Sequence, residues 1–204
     1  MIKYFVIFLV AGLGYCNNIK AQTSVPTTGQ GVAMFVTPTS NSIYIDQVGD
    51  NNNITVSQDG QGHSATVTTG ATSNVDYATL SIIQQGTGAK VASLDIKSGI
   101  NNTASISQDG AGNHTANIQV FAGNGNIANV TQTGNANHIV DLKLTGNDNR
   151  ATVAQSGNQQ NKANIDLTNV LGPASIDLQQ SGGQTFTIQQ YCMSPSGCST
   201  TVRQ

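Results

Sequence analysis

The 204-residue chain predicts an all-β fold, a cross-β, amyloid-like β-solenoid with two strands per rung. Three observations predict it. Gln-x-Gly pairs recur about every 24 residues, a second glycine series falls roughly midway between them, and the residues between glycines alternate between polar uncharged and small aliphatic types. Composition narrows the field in the same direction. Charged residues make up 9% of the chain, where an ordinary soluble domain carries about 25%. Asn, Gln, Ser, Thr and Gly fill about half of it. Helical bundles and coiled coils need Ala, Leu, Glu, Lys and Arg in bulk. A net charge of −2 offers no basic face for nucleic acid, and highly charged disorder needs charge that is missing here. A low-complexity disordered chain and a ladder-forming β structure both survive composition. The periodicity selects the second.

The first element is a targeting segment. Lys3 gives a short basic start, Tyr4 to Tyr15 is an apolar run, and Asn17 to Ala21 is polar and ends in a small residue. The apolar run is shorter than the ~20 residues that cross a bilayer. Residues 1–21 therefore read as a secretory signal peptide with cleavage between Ala21 and Gln22. An uncleaved anchor would need a basic stop-transfer segment, and a lipoprotein at Cys16 would need a small residue where Tyr15 stands. Residues 22–41 form a leader. The mature chain has no transmembrane segment and is expected outside the cell, having passed through the periplasm.

Residues 42–190 carry the repeats. The Gln-x-Gly pairs are Gln58/Gly60, Gln84/Gly86, Gln108/Gly110, Gln132/Gly134, Gln155/Gly157 and Gln180/Gly182. The interleaved series is Gly49, Gly99, Gly123, Gly146 and Gly172, with Gly70 as a degenerate member. About six repeats result, each strand–turn–strand. In Asn102-Thr-Ala-Ser-Ile-Ser-Gln108, the residues Asn102, Ala104, Ile106 and Gln108 share one face. Asn52 to Gln58, Asn126 to Gln132 and Asn149 to Gln155 repeat that grammar. Gly and Asn at the turns accept positive φ. No single repeat can bury its inner face, so rungs must stack at about 4.8 Å. Identical amides then fall into ladders, each donating to one neighbour and accepting from the other, which avoids the roughly 1–3 kcal/mol cost of an unpaired buried polar group. Lys97, Phe121, Leu144 and Val170 take the Gln position in the second arm, so that arm carries a mixed ladder. Ala71 to Asp76 is an insertion placed as an edge loop.

The tail, residues 191–204, holds Cys192 and Cys198. Export permits a disulfide between them, and Pro195 and Gly197 let the chain turn back. A metal site is the weaker reading, because no His or second Cys pair lies near.

The string Gly-x-x-Asn-x-Ala-x-x-x-Gln occurs at Gly99/Asn102/Ala104/Gln108, Gly123/Asn126/Ala128/Gln132 and Gly146/Asn149/Ala151/Gln155, with a fourth copy at Gly49/Asn52/Ile54/Gln58. It resembles the curlin repeat, over about residues 42–190. The resemblance implies a subunit of curli-type fibres: extracellular functional amyloid, secreted unfolded through an outer-membrane channel, polymerised at the cell surface with a sister or nucleating subunit, and used for adhesion and biofilm matrix. It implies that the ladder of Gln58, Gln84, Gln108, Gln132, Gln155 and Gln180, with Asn52, Asn102, Asn126 and Asn149, carries polymerisation. The leader departs from the Gly-rich, aromatic-bearing segment usual in curlins, and the tail lies outside the pattern. A major and a nucleating subunit both fit.

Chemistry finds little footing. Asp46, Asp59, Asp109 and Asp148 sit at or next to turns, where charge keeps rungs soluble. His63, His114 and His138 fall at or beside the Asn position after a turn and read as solvated turn residues ahead of a metal site. No nucleophile–base set or metal motif is present, so neither an enzyme nor a cofactor is expected. The competing function is a soluble secreted β-solenoid adhesin or binding module, with the cysteine loop as its cap. Free edges at Ser42 to Gln47 and Thr185 to Gln190 favour the polymer.

Overall fold

Alternating side chains on a polar backbone become strands only if both faces find partners, and this chain finds them by stacking on itself. The computed structural model describes residues 41–70, 75–169 and 171–204, and the backbone of 7–11, 19–23 and 31–36. The strands in chain order are β1 (Ile7–Ala11), β2 (Ile19–Thr23), β3 (Gly31–Val36), β4 (Ser42–Gln47), β5 (Asn53–Gly60), β6 (Ser64–Thr69) and β7 (Val75–Asp76). Then follow β8 (Thr79–Gly86), β9 (Val91–Ile96), β10 (Gly99–Ile100), β11 (Thr103–Asp109), β12 (Thr115–Ala122), β13 (Ile127–Thr133) and β14 (Ile139–Thr145). The last are β15 (Arg150–Ser156), β16 (Lys162–Asn169), β17 (Ala174–Ser181), β18 (Thr185–Cys192) and β19 (Cys198–Arg203).

Two long parallel sheets result, with a third of two strands, β7 and β10. One long sheet runs β1-β3-β5-β8-β11-β13-β15-β17-β19 and the other β2-β4-β6-β9-β12-β14-β16-β18. Every rung gives one strand to each, so the chain from β4 to β19 is an all-β solenoid of about seven turns, one more than the repeat count predicts. The seventh strand of the first arm comes from the tail: β19 pairs in register with β17, from Ala174↔Cys198 to Gln179↔Arg203.

Register follows the hydrophobic pattern. Ala104, Ile106 and Gln108 pair with Ala128, Val130 and Gln132, and these with Ala151, Val153 and Gln155. A slip of one residue would turn every buried side chain outward. The core between the sheets is thin and aliphatic: Ile54, Leu80, Ile106, Val130, Val153 and Leu178 on one side, Val67, Leu94, Ile118, Leu142 and Ile165 on the other, all buried.

Three expectations need correction. In the second arm the inward position is held by Gln47, Thr69, Ile96, Val120, Leu144, Leu167 and Gln190, not by Lys97 and Phe121. Those two are one residue further along and turn outward. A register shift between Val120 and Ala122 marks the bulge that puts Phe121 there, with the ammonium groups of Lys143 and Lys97 4.8 and 5.5 Å from its ring centre. Val170 lies outside the described residues. Next, Val75 and Asp76, placed in an edge loop, form β7 and pair with β10 at the corner, where Val75 is fully buried; residues 71–74 lie outside the described residues. Finally, Ser42–Gln47 is no free edge in the full chain, because β2 pairs with it. The expected cleavage point between Ala21 and Gln22 lies inside β2, while most of segments 1–21 and 22–41 lies outside the described residues.

Candidate functional site

Two buried polar columns run along the first arm, at the two ends of its strands. The Gln column closes each strand. Nε2 of Gln58 donates to Oε1 of Gln84 at 2.7 Å, Gln84 to Gln108 at 3.0 Å, Gln108 to Gln132 at 2.8 Å, Gln132 to Gln155 at 2.9 Å and Gln155 to Gln180 at 2.8 Å. All six are buried. The second hydrogen of each amide crosses to the other arm. Gln58, Gln84, Gln108, Gln132 and Gln155 donate to the carbonyls of Ser42, Ser64, Val91, Thr115 and Ile139 at 3.0–3.1 Å, and Gln180 to that of Lys162 at 3.3 Å. Each Gln therefore binds rung to rung and arm to arm, and a primary amide with two donors and one acceptor is the smallest group able to do so.

The Asn column opens each strand and works differently. Oδ1 of Asn102 accepts the backbone N–H of Asn126 at 3.0 Å, Asn126 that of Asn149 at 3.0 Å, and Asn149 that of Ala174 at 3.0 Å. Asn52 accepts from Ala78 at 2.8 Å, since Ala78 takes the Asn place in its rung. The amide nitrogens turn back to corner carbonyls: Asn52 to Val75, Asn102 to Gly123, Asn126 to Gly146 and Asn149 to Thr145. Asn thus pairs backbone groups at the corners, where the ladder of sheet hydrogen bonds stops. Amide-to-amide contact in this column is limited to Asn102 and Asn126, 3.1 Å apart.

The ten turn glycines, Gly49, Gly60, Gly86, Gly99, Gly110, Gly123, Gly134, Gly146, Gly157 and Gly182, all have positive φ. Gly123 shows a second requirement. A Cβ there would sit 1.8 Å from the carbonyl oxygen of Gly146 on the next rung, so corners stack at a distance only glycine permits.

The histidines correct the sequence reading. His63, His114 and His138 are buried, not solvated, and stand in the second arm where Asn stands in the first. Register aligns Asn41, His63, Lys90, His114, His138, Asn161 and Gln184 in one column. The imidazoles do the work of Asn. Nδ1 of His114 accepts the N–H of His138 at 3.4 Å and Nδ1 of His138 accepts that of Asn161 at 3.2 Å. Nε2 of His63, His114 and His138 donates to the carbonyls of Asp59, Asp109 and Thr133 at 3.1, 2.9 and 3.0 Å. The signal that could have found this was their shared place after the turn, one residue before an alternating strand.

The C-terminal end of the solenoid is the exposed continuation of all these columns. Phe186 and Ile188 of β18 and Val202 of β19 are only partly buried, whereas their partners one rung back are in the core. Oε1 of Gln184 and of Gln190 is buried with no hydrogen-bond partner. One residue beyond the Gln179↔Arg203 pair, Gln204 stands in line with Gln180, a ladder position the repeat count omits. The Cys192–Cys198 disulfide joins β18 to β19, and Arg203 pairs with Asp177 at 3.3 Å. Among the described residues no group of three or more His, Cys, Asp or Glu is placed to hold a metal ion, and no helix is long and apolar enough to cross a membrane.

The family model described as curlin associated repeat matches residues 39–70 and 99–134. No curated protein and no solved structure matches the chain. The matched stretches contain β4 to β6 and β10 to β13, which include the Asn–Gln strands that the columns stack. Over these two stretches the chain is similar to the curlin associated repeat, and the other rungs of the solenoid stack on them in the same register.

Proposed function

We propose that the mature chain is a secreted structural subunit that polymerises end to end into curli-like extracellular fibres, serving adhesion and biofilm matrix. The observation that carries this reading is the C-terminal rung. Its inward residues Gln184, Phe186, Ile188 and Gln190 repeat the chemistry of Asn41, Ile43, Ile45 and Gln47 at the first fully described rung, position for position. A second copy laid on β18 in continued register puts amide on amide and aliphatic on aromatic or aliphatic. On β19 it brings Gln58 to Gln204 once β3, which pairs with β5, gives way to the incoming copy. Removal of residues 1–21 takes most of β2 away from β4, opening the strand that this junction uses. Open strand edges with these properties draw further copies. The apolar N-terminal run supports export, and the curlin resemblance supports passage through a dedicated outer-membrane channel and a sister nucleating subunit.

The test is assembly of the chain beginning at Gln22. Diluted from denaturant to micromolar concentration, it is expected to form thioflavin-binding fibres after a lag, visible by electron microscopy. Persistently monomeric protein with a sharp thermal transition would overturn the proposal in favour of a soluble adhesin.

A further inference from the structure

Four consecutive rungs of the second arm bury a basic nitrogen. His63, Lys90, His114 and His138 are each at most 1% exposed and follow one another along the column. The rings of His114 and His138 are stacked, 5.1 Å between centres and 1° from parallel. Lys90 reaches a nest of carbonyls, Nζ lying 2.8 Å from that of Gly110, 3.0 Å from Gly88 and 3.4 Å from Gly112. The hydrogen bonds fix the state of the two stacked imidazoles. Because Nε2 faces a carbonyl it carries the proton, and because Nδ1 faces a backbone N–H it cannot. A second proton would set donor against donor at His114 and His138 and place like charges on adjacent rungs. Nδ1 of His63 has no partner to take a proton's hydrogen bond.

We propose that this His63–Lys90–His114–His138 column is a pH-sensitive lock, which lets the solenoid form near neutral pH and opens it in acid. Every group facing the column is accounted for. Lys90 opposes protonation of His63 and His114, and His138 opposes that of His114, while the carboxylates of Asp59 and Asp109 favour it on His63 and His114 respectively. Asn41 and Asn161 at the column's flanks carry no charge. Burial is the largest influence on all three imidazoles and holds each below the ordinary value of 6.5. The sign follows. The unfolded chain binds these protons first, so the stability they contribute is complete above pH 6.5 and is lost as pH falls below it. Lys90, also lowered by burial from 10.5, adds stability only as pH rises toward that value.

The test reads folding and histidine state, not fibre growth. On the chain from Gln22 with ¹⁵N-labelled histidine, nitrogen NMR at pH 7 is expected to show His114 and His138 neutral and protonated at Nε2. Between pH 7.0 and 5.5 the folding equilibrium constant, from guanidinium unfolding, is expected to fall at least about tenfold, the ceiling being about tenfold per imidazole per pH unit. The His114→Asn/His138→Asn variant, which installs the residue already used at Asn161, is expected to at least halve the logarithm of that fall. Equal pH slopes in both proteins overturn the inference, as do imidazolium signals from both residues at pH 7. If the double variant fails to fold, the NMR titration of the unaltered chain decides alone. A chain that makes no fibres but shows the slope upholds the lock and overturns the fibre reading.

Discussion

Gln108 gives one amide hydrogen to Gln132, 2.8 Å away on the next rung, and the other to the carbonyl of Val91, 3.1 Å away on the facing arm. A core of Ala, Val, Ile and Leu this thin leaves the strand ends with little apolar burial, and the Gln column holds the arms together there.

Removing one member should therefore unpair several buried groups at once. Gln108→Ala strands the donor of Gln84, an acceptor on Gln132 and the Val91 carbonyl, and is expected to destabilise the solenoid by about 2–4 kcal/mol. Thr103→Ala, on the outward face of the same strand, should cost about 0.5 kcal/mol or less. Denaturant unfolding and assembly half-times check both, and equal effects would contradict the ladder's role.

Asn126 links backbone to backbone across two rungs, so Asn126→Ala leaves the N–H of Asn149 without its acceptor. A loss of about 1–3 kcal/mol is expected, with hydrogen exchange accelerated first at the corner near Asn149. Unchanged protection there would show that the corner relies on other groups.

Glycine demands differ along the corners despite equal backbone angles. Gly123 and Gly182 have φ of 110° and 108°, but only at Gly123 would a Cβ meet the next rung; at Gly182 nothing lies within 4 Å. Gly182→Ala is expected to cost about 1–2 kcal/mol for the angle alone, and Gly123→Ala considerably more. Comparable unfolding midpoints for the two variants would contradict the close corner stacking.

Reduction of the Cys192–Cys198 disulfide should act locally. A closed loop this short confers about 2 kcal/mol on the chain-entropy account, and it holds β19 against β17. Reducing the bond is expected to raise hydrogen exchange over Ser199 to Arg203 and leave Gln108 to Gln155 protected. Uniform loss of protection would mean that the tail supports the whole solenoid.

The end-to-end junction makes its own demand. Phe186→Lys puts a charge on the half-buried face that a second copy would cover. It is expected to slow elongation by folded chains at least about tenfold, and, because Phe186 also packs on the core, to lower monomer stability by about 1–3 kcal/mol. Elongation at the unaltered rate would place the junction elsewhere.

Much of this structure is legible in the residue order. The pairing of Ala104 with Ala128 and of Gln108 with Gln132 follows from spacing alone, because period-2 alternation and a fixed repeat leave one register that buries the alternate Ala, Ile and Val positions of these strands together. The second arm reads less well. Where Gln gives way to Ile96, Val120, Leu144 and Leu167, no residue type marks the strand end, and a bulge after Val120 moves the count by one. His63, Lys90, His114 and His138 look like surface residues because such side chains usually are. Their place after the turn hints at the Asn position, and the pairing register shows that the position is buried. Gln204 escapes notice because no glycine pair accompanies it.

The central claim is that each Gln stacks on the next repeat of its own chain, and on another molecule only at the junction. Solid-state NMR on fibres grown from an equimolar mixture of ¹⁵N-labelled and ¹³C-labelled chains tests it directly. A solenoid gives strong Gln amide contacts in fibres labelled with both isotopes in one chain, and near-absence of those contacts in the mixed fibres. Strong contacts between every Gln and its own counterpart in a neighbouring molecule would show flat in-register stacking and contradict the solenoid.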